Sequence, residues 1–151
     1  MEHGVAVECS ADIAAPCEEV FDVVHDYGIR LRWDTLLSKA CIVDGSPQAG
    51  LGVRTLCVGG RSVAGLGMET VYISFNRPSV AAVRMKIGPW FIADFAASIR
   101  HAPLQETQSR VIYKFRITAR PRLLDPLLRF LFQRETRKRL ASLKRYIEAR
   151  G

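Results

Sequence analysis

Between Lys39 and Thr118 the chain alternates apolar and polar residues in six short runs, and no helical period interrupts the series. Period two marks a strand with one buried face. The runs cover residues 40–44, 52–58, 62–75, 80–87, 91–101 and 109–118. Turn-forming stretches separate them, among them Asp44-Gly45-Ser46-Pro47, Gly59-Gly60, Asn76-Arg77-Pro78 and Gly88-Pro89. With no crossover helix between them, successive strands must run antiparallel.

Residues 5–13 supply a seventh strand, in which Val5, Val7 and Cys9 alternate with Ala6, Glu8 and Ser10. Pro16 suits a first helical turn, and Glu18 and Glu19 place negative charge at its positive end. A short helix is therefore expected over residues 16–25. Tyr27-Gly28 stops it, and a second short helix over 29–37 carries Trp33.

Register follows from loop length. A two-residue turn at Gly59-Gly60 puts Leu56, Val58 and Val63 on one face, which then continues through Val71, Ile73 and Phe75. Matching apolar positions across the next turns adds Ala81, Val83 and Met85, then Phe91, Ala93, Phe95, Ala97 and Ile99. Val111, Tyr113, Phe115 and Ile117 complete the face. Its alanines either admit a closely packed helix or leave volume for a ligand. Residue types alone leave both readings open.

The end of the chain is helical. Asp125 is expected to cap it, Pro126 suits its first turn, and Phe132, Thr136, Leu140, Leu143 and Ile147 form one stripe. A helix of about 25 residues is roughly 37 Å long. Its first turns carry Leu127, Leu128, Phe130, Leu131 and Phe132 on all sides. The net charge of +7 also belongs here: residues 1–109 hold 9 basic and 12 acidic side chains, residues 110–151 hold 13 and 3. Arg134, Arg137, Lys138, Arg139, Lys144, Arg145 and Arg150 suit either a solvated face or attraction to an anionic membrane surface. Nucleic acid is disfavoured as a partner, because no aromatic-plus-basic sheet pattern accompanies the charge.

Cys9, Cys17, Cys41 and Cys57 form no Cys-x-x-Cys pair, and His3, His25 and His101 complete no zinc-like spacing. The thiols read as buried and reduced, and neither a metal nor a cofactor is expected. The acidic start Met1-Glu2-His3-Gly4 is unlike a signal peptide, so a cytoplasmic location is expected. Oligomeric state is not legible.

Several segments resemble one family. Ile13-Ala14-Ala15-Pro16-Cys17-Glu18-Glu19-Val20-Phe21 matches its "I-x-A-P-x-E-x-V-F/W" opening, with Arg32-Trp33-Asp34 where members often carry tryptophan. Ser109-Arg110-Val111-Ile112-Tyr113-Lys114-Phe115 is similar to its last strand, and the segment from Glu135 to Lys144 to its terminal helix. The family is the polyketide cyclase/dehydrase and lipid-transport group of the START/Bet v 1-like (SRPBCC) superfamily. The resemblance implies an α+β helix-grip fold over residues 1–151 as one domain: a seven-stranded curved antiparallel sheet around a long C-terminal helix, with two short helices after the first strand. It also implies a pocket for a hydrophobic small molecule.

The register assigns the sheet side of that pocket to Val71, Ile73, Phe75, Val83, Met85 and Phe95, with Ala97, Tyr113 and Phe115 beyond them. Phe132 and Thr136 face it from the helix, and Trp33 sits near its mouth. Binding or carriage of a lipid, isoprenoid or polycyclic aromatic is the leading function. A cyclase or dehydratase using Tyr113, Glu69 or Arg54 for proton transfer is the alternative, and an interaction module built on the basic helix is the third. Arg54 and Glu69 share the inward face in this register, spaced too widely for an ion pair. Asp34 either caps a helix or orients a polar ligand group, and His101 lies near the pocket rim.

Overall fold

The computed structural model describes residues 5–60 and 65–150. Its elements in chain order are β1 (Val7–Ile13), α1 (Cys17–Val24), α2 (Arg30–Trp33), β2 (Leu37–Ile42), β3 (Arg54–Gly59), β4 (Gly67–Asn76), β5 (Val80–Ile87), β6 (Ile92–Gln105), β7 (Gln108–Ala119), a 3-10 turn (Arg122–Leu124) and α3 (Asp125–Arg150). The strands form one antiparallel sheet in the order β1-β7-β6-β5-β4-β3-β2. The first strand thus closes on the last, and α3 packs across β1 and β7. This is the helix-grip arrangement.

Two elements differ in extent from expectation. The second helix is only Arg30–Trp33, because Leu37 already pairs with Gly59 to begin β2. After Gly59 the chain does not make a two-residue turn: Gly59 N–H donates to Leu66 O at 2.8 Å and Gly65 N–H to Gly60 O at 3.0 Å. The strand expected from Ser62 begins at Gly67; Ser62 and Val63 themselves lie outside the described residues.

One β-bulge corrects the inferred register. Tyr72 pairs with Val83 and Ser74 with Ala82, so Ile73 is the extra residue. A bulge inverts the pleat on either side of it. Beyond it Phe75 faces inward opposite Ala81, as expected. Before it the inward residues are Tyr72, Thr70 and Met68, opposite Thr55 and Cys57 on β3. Val71 and Ile73 therefore face outward, with Ile73 52% exposed. Arg54 and Glu69 go with them. The true pairing sets Arg54 opposite Val71 and Leu56 opposite Glu69, so the two charges are diagonal neighbours in a 3.7 Å ion pair on the outer face. A second bulge, between Ile92 and Asp94, turns Ile92 inward and leaves Ala93 unpaired.

The α3 stripe behaves as its spacing predicts. Leu140, Leu143 and Ile147 are buried against Ile13, Val20 and Val111, each worth about 1.5–3 kcal/mol as an upper estimate. Asp125 does not cap the helix. Its carboxylate accepts Ala119 N–H at 2.6 Å and Arg122 Nε–H at 2.8 Å, tying the end of β7 to the start of α3. Burial opposes that charge, and the two hydrogen bonds hold the carboxyl below its usual range. Asp125→Ala leaves the buried Ala119 N–H unpaired, and thermal melts should show a loss of about 1–3 kcal/mol. All four cysteines are free, Cys9 and Cys17 buried, Cys41 and Cys57 half-buried. No described helix is long and apolar enough to cross a membrane.

Candidate functional site

Between the concave face of the sheet and α3 lies a cavity of about 510 Å³. Ala81 and Ala97 contribute small side chains to its sheet wall. Along α3 its wall runs from Leu128 to Arg139, about 16 Å at the standard rise. The character of the wall changes over that length.

At the N-terminal end of α3 the lining is apolar. Leu128, Leu131 and Phe132 meet Phe91 and Phe95 from β6 and the residue before it, with Phe132 and Phe95 rings 5.5 Å apart. Two turns further along α3 the lining becomes polar. There Arg139 donates from Nε at 3.0 Å and from Nη2 at 2.9 Å to Asp34 Oδ2, which also accepts Arg30 Nε–H at 3.0 Å. Asp34 is fully buried, and the Arg30 side chain is 9% exposed. Arg30 also lies over the Trp33 ring at 4.9 Å and the Tyr27 ring at 5.5 Å. Burial alone would raise the Asp34 carboxyl, but the Arg139 and Arg30 guanidiniums override it and hold it below the carboxylate range.

A hydroxyl chain continues this polar end. His25 Nδ1 lies 2.7 Å from Tyr72 Oη, which is 3.1 Å from Tyr27 Oη. Thr55 and Thr70 hydroxyls, 3.0 Å apart, extend it along the sheet. Burial, with Arg30 and His101 nearby, pushes His25 down to about 3, so the imidazole is neutral. Burial raises the Tyr72 phenol in turn. Tyr113 faces the cavity beside Arg139 and Arg30; burial raises its phenol, and those charges oppose the rise.

The sequence-derived lining separates into three groups. Val83, Phe95, Ala97, Tyr113, Phe132 and Thr136 line the cavity together. Trp33, Phe75, Met85 and Phe115 pack in the surrounding core without lining it. Val71, Ile73, Arg54 and Glu69 belong to the outer face for the reason given above. His101 is buried against Phe21 rather than at the cavity rim. Glu69→Gln should accordingly leave ligand binding to the cavity unchanged in a fluorescence titration.

Sequence reasoning missed Arg30, Arg139, Tyr27 and Tyr72. Arg30 and Asp34 stand four residues apart, a spacing that brings side chains together on a helix, and that signal was available. Arg139 was hidden among the basic residues of α3.

Residues 4–148 match the family described as polyketide cyclase/dehydrase and lipid transport. The chain belongs to that family. No curated protein matches it by sequence. Among solved structures it is similar to the aromatase/cyclase ZhuI from a Streptomyces strain, at 16% identity and a TM-score of 0.84, over 98% of this chain and 96% of that one. A START superfamily protein from Mycobacterium smegmatis aligns at 11% identity and a TM-score of 0.82, over 97% and 99%. The di-domain aromatase/cyclase BexL aligns at 13% identity and a TM-score of 0.80, over 95% of this chain but only 46% of that one. Such identities establish a shared fold. Family and fold together support hydrophobic ligand binding or cyclase-type chemistry.

Proposed function

We propose that the protein binds a hydrophobic small molecule in the cavity beneath α3, with the apolar body between Phe95, Phe132 and Leu128. The observation that carries this reading is the cavity itself, whose volume lies in the range of ligand sites and whose lining is aromatic at one end. Native mass spectrometry of protein purified from its own cells tests it. One apolar passenger per chain is expected, lost in Ala97→Trp; a wild-type chain that neither carries nor accepts any apolar molecule contradicts it.

Exposed aromatic residues next to the apolar end of the lining favour loading from a lipid surface. Trp90 is 75% exposed, and Phe130 60%, beside lining residues Phe91 and Leu131. Such exposed apolar side chains next to a basic helix suit an anionic bilayer. Trp90→Ser with Phe130→Ser should lower binding to anionic vesicles about tenfold or more, on the scale of two removed aromatic insertions; unchanged sedimentation with vesicles contradicts it.

Cyclase-type chemistry in the same cavity is the second reading, favoured by the Tyr113 hydroxyl, which has no protein partner among the described residues. Tyr113→Phe should then slow turnover while leaving ligand affinity and melting temperature nearly intact. Equal turnover removes Tyr113 from that role.

A further inference from the structure

The polar end of the cavity keeps guanidinium donors to spare, although Asp34 Oδ1 and Glu135 Oε2 are buried there without a hydrogen bond among the described residues. Asp34 Oδ2 takes the Nε–H of Arg30 and two N–H groups of Arg139, yet among the described residues neither terminal nitrogen of Arg30 has a protein acceptor. Arg30 nonetheless lines the cavity with a side chain 9% exposed, fixed between Tyr27, Trp33 and Asp34. The hydroxyl of Tyr113 opens on the same space.

Charge points the same way. Arg30 and Arg139 share one counterion, Asp34, which stands behind them, while Glu135 on the same wall pairs with Lys138 at 3.9 Å and Arg134 is exposed. One positive charge is therefore left over in a partly enclosed, low-dielectric setting, where its interactions are much stronger than in water. A guanidinium presents a planar fork that a carboxylate accepts through both oxygens. A phosphate monoester would bring close to two negative charges and overshoot the surplus.

We infer that the ligand is an amphiphile with a carboxylate head, held by Arg30, Arg139 and Tyr113, and an apolar body directed along α3 toward Phe132 and Leu128. This rests on the cavity being a binding site for hydrophobic molecules. Asp34 positions the two guanidiniums from behind and does not touch the ligand.

The test compares dodecanoic acid with dodecan-1-ol, which share an apolar body and differ in the head. Each is titrated at neutral pH against the neutral fluorophore N-phenyl-1-naphthylamine bound to the protein. The acid is expected to displace the probe at a concentration lower by about tenfold or more, the scale of one charge-assisted hydrogen bond. Arg30→Met should abolish that preference, so that acid and alcohol displace the probe at similar concentrations. Arg139 still pairs Asp34 in this variant, so the buried carboxylate is not left alone. Arg30→Lys, which keeps the charge and loses the fork, should retain only part of the preference. Equal displacement by acid and alcohol in the wild type overturns the carboxylate assignment and leaves the cavity reading standing. Failure of the probe and both compounds to bind overturns the two together.

Discussion

Replacing Asp34 with alanine is expected to destabilise the protein by about 3–5 kcal/mol, because it strands the buried Arg30 and half-buried Arg139 guanidiniums without their shared counterion. For a chain of 151 residues, each kcal/mol lowers the melting temperature by about 2–4 °C, so a drop of roughly 6–20 °C should appear. The penalty arises from the buried charges left behind more than from the attraction that was lost. Arg30→Met should be milder, since Asp34 keeps Arg139. The ion pair between Asp12 and Arg110 is the contrasting case: it is exposed on both sides, and Asp12→Ala should leave the melt almost unmoved. Similar losses for Asp34→Ala and Asp12→Ala would mean that the buried cluster is no more tightly coupled than a surface pair.

Mild acid should be the second large effect. Burial lowers His25 to about 3 and His101 to about 4, against about 6.5 for an exposed or unfolded histidine. Below pH 6.5 the unfolded chain therefore binds protons that the folded chain refuses, and stability falls as pH falls. Each histidine contributes about 1.4 kcal/mol per pH unit in that window, or about 4 kcal/mol for both between neutral pH and pH 5. The slope fades as pH rises above about 6.5, where the unfolded histidines lose their protons. Carboxylates such as Asp34, held below their usual range, extend the loss to lower pH. His101→Gln should roughly halve the slope between pH 6.5 and 5. A melting temperature that stays level from pH 7 to pH 5 is incompatible with two neutral buried histidines.

The architecture was legible because each strand reports its own period and each turn its own stop. Val20, Phe21, Leu140, Leu143 and Ile147 occupy the buried positions that their spacing assigns. The site was legible only in part. Register was carried across β4 on the assumption of an unbroken pleat, and the extra residue Ile73 leaves no mark in an apolar run such as Val71-Tyr72-Ile73. One missed bulge put Val71, Ile73, Arg54 and Glu69 on the wrong face and hid Tyr72, Thr70 and Met68. The polar cluster was harder still. Arg30, Asp34 and Arg139 come from α2, the residue after it and α3, and their meeting depends on how the long helix sits in the sheet. Arg139 in particular had been grouped with Arg137 as outward basic charge. Its side chain is 20% exposed and bonded to Asp34, so it belongs to the cavity wall.

The account rests on the cavity being a binding site, and Ala97 offers the most direct test. Ala97 lies opposite Val83 on one side and Phe115 on the other, with its methyl group at the cavity wall. An indole at this position would project into the open volume. Titration of N-phenyl-1-naphthylamine into the wild-type chain should give saturable one-to-one fluorescence enhancement, and Ala97→Trp should abolish it at an unchanged melting temperature. Absence of saturable binding to the wild type, or equal binding to the blocked variant, would contradict the central claim.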